Sequence, residues 1–260
     1  VLSIFDWFGY RLTMEERYRL IKKAGFSGVM ILWGHRLGRG MDFRLAPEIA
    51  RDAGLFVENL HAPTELQHAL WEEGLSGEEA AECYLSCLED CKAAEVPAMV
   101  LHLPGDDFAP TEQGLKRLWR LVERAERLEV NVALENLQNL KNLAWAFQQI
   151  DSPRLGLCYD CCHHYNDAPE EDLLGMYGAR LMALHLHDNG GASRSCCIQH
   201  RLPFDGDVPW ARVMQAIAAT GYKGVTALEP MYWDYQELPP DVFLYRAFEK
   251  AKHLDSLRGR

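Results

Sequence analysis

Histidine, aspartate and glutamate, the residue types that hold metal ions and move protons, collect in this sequence at the ends of apolar runs. In R-L-M-A-L-H-L-H-D-N, residues 180–189, an apolar stretch stops at His185, His187 and Asp188. Alternate residues of a strand share a face, so His185 and His187 point the same way. The ending recurs along the chain. The run 55–60 leads into His61, 98–103 holds His102 near its end, and 130–134 leads into Glu135. The run 155–159 leads into Asp160 with His163 just beyond, and 225–228 leads into Glu229. An ionised carboxylate taken out of water without a partner costs several kcal/mol or takes up a proton. Three of them among imidazoles are best reconciled by a divalent cation, provided the runs end in one place. A single histidine at a strand end is as well explained by a hydrogen bond to backbone or solvent; the case rests on the set.

The elements that would bring these ends together are legible in the same sequence. Thr13 reads as an N-cap with Glu16 three residues on, the amphipathic stretch 14–24 follows, and Gly25 stops it before a strand at 29–33. Near the other end a helix at 213–219 turns through G-Y-K-G into a strand at 225–228. A-G-F-S-G-V and T-G-Y-K-G-V therefore look like two copies of one helix-to-strand connection. Between them helices are expected at 46–53, 77–95, 112–128, 140–150 and 170–177, and a last one at 241–254. Counting 2–5 and the run ending at His185, eight strands each precede a helix. That alternation calls for parallel pairing, and 260 residues suit closure into an α/β, single (β/α)8 TIM barrel, one domain over 1–260. An open doubly wound sheet is the alternative, but the first strand lacks the glycine pattern of a dinucleotide fold. In a barrel the carboxyl ends of all strands meet at one mouth.

A formal net charge of −11 argues against a nucleic-acid partner, because phosphate backbones need clustered Lys and Arg that this chain does not show. No apolar run has the length of a membrane span, and residues 1–10 lack the basic start and apolar stretch of a secretion signal, so a cytoplasmic location is expected. Of the eight cysteines, Cys83, Cys87 and Cys91 lie four apart as one helix stripe does. Cys161 with Cys162 and Cys196 with Cys197 are adjacent pairs rather than C-x-x-C knuckles, so reduced thiols are expected.

The runs A-L-E-N (Glu135), L-C-Y-D-C-C-H (Asp160, His163), L-H-L-H-D (His185, Asp188), H-R-L-P-F-D-G-D-V-P-W (200–210) and A-L-E-P (Glu229) resemble, in order, the motifs of the xylose isomerase-like barrels. The likeness covers essentially the whole chain. It extends to H-A-P at 61–63 and L-H-L-P-G at 101–105. That superfamily contains sugar and sugar-phosphate isomerases and epimerases, inosose-pathway enzymes and endonuclease IV. The resemblance implies a metal held by Glu135, Asp160, His185 and Glu229, with the two glutamates doubling as an acid/base pair in the ketose epimerase branch. It aligns His185, three before Asp188, with the metal ligand and leaves His187 as a neighbour. The endonuclease branch adds ligands at positions matching His61, His102, His163 and His200. This chain departs from that branch at Ile198, where an aspartate is usual, and at Phe204, where a glycine is usual; a third metal site then depends on Asp188 or Asp205 as a substitute.

Sugar isomerisation fits the same residues. Moving a proton from a carbon next to a carbonyl needs a base near the C–H and an electrophile for the enediolate, which a metal chelating the substrate oxygens supplies. Glu135 and Glu229 across the substrate can remove and return the proton. His61, His102, His163, His187 and His200 are candidates for a second metal or for substrate. Trp7, Trp33 and Trp71, with Phe8, Tyr232 and Trp233, lie near run ends where flat rings could cover a sugar. Arg36, Arg39, Arg194 and Arg201 are the only nearby loop cations, and none sits in a glycine-rich cradle. The expectation is thus a metal-dependent isomerase or epimerase with one divalent ion (Mn, Zn, Co or Mg), a second left open. It would act on a small sugar, sugar phosphate or inosose-like polyol, as a monomer or homo-oligomer. The rivals are an endonuclease IV-like zinc phosphodiesterase and a barrel that binds metal or sugar without turnover.

Overall fold

The computed structural model describes residues 1–34, 42–190 and 198–259. Its strands are β1 (Leu2–Phe5), β2 (Gly28–Leu32), β3 (Phe56–His61), β4 (Ala98–Leu101), β5 (Asn131–Glu135), β6 (Leu155–Asp160), β7 (Leu181–His185) and β8 (Thr226–Leu228). All neighbours pair in parallel, in the order β7-β6-β5-β4-β3-β2-β1-β8. The ring closes at a parallel bridge between Leu186 and Leu228. There the Leu186 N–H donates to Ala227 O and the Glu229 N–H to Leu186 O, each at 3.0 Å. The chain is an α/β barrel of the TIM type, as its alternation of runs predicts.

Outside the ring lie α1 (Met14–Ala24), α2 (Ala46–Asp52), α3 (Leu75–Ala93), α4 (Glu112–Leu128), α5 (Leu140–Gln149), α6 (Cys161–Asp167), α7 (Leu173–Tyr177), α8 (Trp210–Ala219) and α9 (Pro240–Leu257). Local chemistry sets their ends. The Thr13 side chain accepts the Glu16 N–H, and Gly25 ends α1 at φ 117°, a left-handed conformation that glycine adopts without a Cβ clash. Gly221, at φ 79°, does the same after α8, so the copied connection has a common backbone cause. On α4, Leu118, Leu121, Val122 and Ala125 repeat at 3–4-residue spacing and are buried against the sheet and α3. Each such fully buried aliphatic contributes about 1.5–3 kcal/mol.

Two departures from the sequence reading have clear causes. Residues 161–167 form a helix that the pattern C-C-H-H-Y-N-D does not announce, because the Asp160 side chain caps it by accepting the His163 N–H, while the expected helix at 170–177 begins only at Leu173. The β2–β3 register shifts so that Val29 pairs with Val57 but Met30 with Asn59. Glu58 is the extra residue of this bulge, and its carboxylate accepts the Ser3 hydroxyl at 2.5 Å. Among the described residues no helix is long and apolar enough to cross a membrane, and the six described cysteines are free. Inside the barrel Val100, Ala133, Cys158 and Ala183 pack as one small-residue cluster, and Phe5, Met30, Ala227 and Met231 as another.

Candidate metal centre

Beyond those apolar clusters the inward-facing residues become polar. Ligand atoms of Glu135, Asp160, His185 and Glu229, at the ends of β5, β6, β7 and just past β8, all lie within 4.8 Å of one another, and all four residues are buried. His185 Nδ1 is 3.1 Å from Glu135 Oε2 and 3.3 Å from Glu229 Oε2, yet neither ring nitrogen makes a directed hydrogen bond. Two carboxylates crowd one imidazole nitrogen. This donor set, of three carboxylate oxygens and one nitrogen of an orphaned imidazole, fits a divalent cation. Burial opposes ionisation of Glu135, but the imidazoles of His185 and His102 outweigh it and hold its carboxyl well below the usual range. On Glu229 burial prevails over the attraction of His185 and, joined by repulsion from Glu135, pushes the carboxyl up.

Among the described residues, two of the further groups each bring in two histidines beyond the four. In the first, His61 and His102 approach Glu135. The His61 Nδ1–H donates to Ala62 O at 2.9 Å, since a carbonyl only accepts, which leaves the Nε2 lone pair aimed at Glu135 Oε2 3.4 Å away. His102 contacts Gln67 Oε1 through Nδ1 (3.0 Å) and Glu135 Oε2 through Nε2 (2.9 Å), and a neutral ring has one hydrogen for these two acceptors. Burial holds the His102 pKa down despite Glu135, so the ring is neutral near pH 7. A ligating histidine has this environment, with one nitrogen fixed on an acceptor and the other turned to the ion. In the second group, His187, His200 and Glu229 come together. The His200 Nδ1–H donates to Glu229 O, and its ring stacks 4.0 Å from that of His187. Burial and His187 push the His200 pKa down to about 3.

Asp160 is held from three sides. Its Oδ1 accepts the His163 N–H, its Oδ2 lies 2.8 Å from His187 Nε2, and its backbone is bracketed by Asn136. The Asn136 Nδ2–H donates to Asp160 O and its Oδ1 accepts the Asp160 N–H, both at 2.9 Å. His163 faces Asp167 at 3.0 Å; burial disfavours its charge, but Asp167, Asp160 and Glu135 together lift its pKa to about 9. Sequence reasoning passed over Asn136 and Gln67. The first could have been found as the fourth letter of A-L-E-N; for Gln67 no sequence signal exists.

Asp188 and Asp205 do not replace the missing aspartate. Asp188 accepts the N–H groups of Asn189, Phe204 and Val208 and the Trp210 indole N–H, at 2.7 to 3.1 Å. It organises the 200–210 loop, including Phe204 at a left-handed φ of 70°, a conformation that glycine adopts more readily. Asp205 receives Lys250 Nζ and the Tyr235 hydroxyl. The aromatic expectations divide. Trp7 packs at the inner cluster of Phe5, Met30, Ala227 and Met231. Trp33 donates its indole N–H to Asp90 and meets Phe43 edge-on, and Trp71 is buried against Trp145 and over Gly114, so both rings serve helix packing rather than the mouth. The exposed Trp233 lies edge-on to His200. Arg36, Arg39, Arg194, Cys196 and Cys197 lie outside the described residues.

A closed parallel barrel with glutamate, aspartate, histidine and glutamate converging from its last four strands is the architecture of a known class. The chain matches the xylose isomerase-like TIM barrel family over residues 18–244 and belongs to it. Within reach of that family it is similar to the uncharacterized protein y4fM of Sinorhizobium fredii, at 27% identity over 98% of this chain and 94% of that one. It is also similar to fructoselysine 3-epimerase of Shigella flexneri, at 28% identity over 54% of this chain and 51% of the epimerase. A solved xylose isomerase domain protein from Alicyclobacillus acidocaldarius shares the fold with a TM-score of 0.77, at 16% identity over 100% of this chain and 99% of that one.

Proposed function

We propose that this chain is a divalent-metal-dependent sugar epimerase or isomerase in which Glu135 and Glu229 remove and return a proton next to a carbonyl. One observation carries the reading. The two carboxylates reach the same nitrogen of His185, Glu135 from the end of β5 and Glu229 from just past β8, at 3.1 and 3.3 Å, with Asp160 alongside. Glu135, Asp160, His185 and Glu229 would hold the ion, which supplies electrophilic stabilisation of negative charge on the substrate oxygens. Each glutamate then presents an oxygen to a substrate between them, one as base and one as acid, on one carbon for epimerisation or on neighbouring carbons for isomerisation. His187 orients Asp160, and Trp233 beside His200 offers a ring to the sugar's apolar face. The half-length similarity to fructoselysine 3-epimerase supports the same class of substrate, a small sugar or polyol.

The test is proton exchange. The Mn²⁺-loaded protein is incubated with ketoses and inososes in D₂O. Glu135→Gln and Glu229→Gln should each lower deuterium incorporation by on the order of 10²–10⁴-fold. Incorporation untouched by both substitutions would sink the mechanism. The fixed rings of His61 and His102 favour a second ion beside Glu135, so elemental analysis of the purified protein should give two metals per chain; one per chain would confine the ion to the four-residue centre. A third site, which an endonuclease IV-like activity would require, draws no support from Asp188 and Asp205, which are engaged elsewhere.

A further inference from the structure

A groove of about 770 Å³ leads away from the cluster, opening at His102 and His163. We infer that it receives the far end of the sugar substrate and selects against negative charge there, preferring an amine-bearing extension to a neutral one and refusing a phosphate; this rests on the sugar reading above. Its charge is mainly negative. Asp106, Asp107 and Asp167 line it, and among the described residues no Lys or Arg does. The position where a phosphate would find backbone N–H groups is already taken. The N-terminus of the ten-residue helix α5 opens on the groove at Leu140, and there the Asp106 carboxylate accepts the N–H groups of Lys141 (3.0 and 3.1 Å) and Asn142 (3.1 Å). Asp167 is matched by His163, Gln138 and Asn166, whereas Asp107 stands exposed at the rim. Among the described residues an anion entering this groove meets three carboxylates, and the His163 ring beside them is already paired with Asp167 at 3.0 Å. The wall suits an extended or flat group, for Phe108 is 43% exposed and its ring stacks on His68 at 4.2 Å and 21°.

The probes are D-fructose and its derivatives with an amine or a phosphate in place of the hydroxyl at either end, bound to the metal-loaded protein and measured by calorimetry at low and high salt. The amine should bind on the order of 10-fold or more tightly than the matching phosphate at low salt, with the ratio shrinking as salt rises. Asp107→Lys, a change at an exposed rim position, should lower that ratio by about 10-fold. A phosphate that binds as well as the amine, a ratio indifferent to both salt and Asp107→Lys, or no binding by any probe overturns the inference. Deuterium exchange on the same samples reads the epimerase assignment separately: probes that bind in the expected order but never exchange overturn that assignment and leave the groove's selectivity standing.

Discussion

Glu135 lies at the mouth of this barrel and Glu58 at the bulge in β3, three residues before His61. Both are buried, at 2% and 9% exposure, so the cost of removing their charge from water is similar. Their neighbours differ. Burial is opposed at Glu135 by the imidazoles of His185 and His102, and the carboxyl stays ionised far below its usual range. At Glu58 burial is the dominant influence, countered only by the Ser3 hydroxyl and the charge of His185, and the pKa rises to about 7, with Oε1 lacking a partner. The contrast separates burial from function. A carboxylate inside a barrel becomes a ligand or a base only where cationic or metal-orienting groups surround it, and the histidines at the strand ends make the mouth such a place.

The largest way to break the contrast is to take its histidines away. His185→Ala removes a proposed ligand and the strongest counter-charge of Glu135, and metal affinity should fall by more than the roughly 10–100-fold that loss of an outer partner costs. His187→Ala acts through Asp160 Oδ2, and its loss should remain within that 10–100-fold range. Competition with a chromogenic chelator measures both. If His187→Ala costs more affinity than His185→Ala, the ligand is His187 and the mouth is organised around the other imidazole of L-H-L-H-D.

That ranking shows how far the sequence reaches. Strand parity places His185 and His187 on one face and cannot separate them. The structure separates them by what they touch, with His185 between Glu135 and Glu229 and His187 on Asp160. The barrel was legible because hydrophobic period and capping signals are local: Thr13 and Gly25 mark helix ends whatever the rest of the chain does. The convergence of Glu135, Asp160, His185 and Glu229 was legible because each ends an apolar run and the fold gathers run ends. Glu58 was not, since a β-bulge is a property of strand pairing and leaves no mark in the run 55–60. Trp33 and Trp71 misled for a related reason. A residue just past a strand can turn outward to a helix as readily as inward, and Asp90 and Trp145, the partners that decide, are 57 and 74 positions away in sequence.

Glu58→Gln should act on stability and leave the metal centre alone. The folded state raises the Glu58 pKa from 4.5 to about 7, so the fold favours the protonated carboxyl. Its contribution is fully present below about pH 4.5 and is lost as pH rises through 7, because the unfolded chain gives up the proton first. Above pH 7 the wild type is therefore about 3 kcal/mol less stable, relative to its own value near pH 4, than it would be with a residue that never ionises. Glutamine keeps an acceptor for the Ser3 hydroxyl and carries no charge. Urea unfolding at pH 5 and pH 8 should show the gap between wild type and Glu58→Gln shifting in the variant's favour by on the order of 2–3 kcal/mol at the higher pH. Metal affinity should stay within about 2-fold of wild type, because the Glu58 carboxylate hydrogen-bonds to Ser3 and not to the four-residue centre. Parallel stability at the two pH values would mean that Glu58 ionises as freely as Glu135 and that burial alone does not distinguish floor from mouth; a fall in metal affinity would mean that the charge on His185 depends on the floor as well.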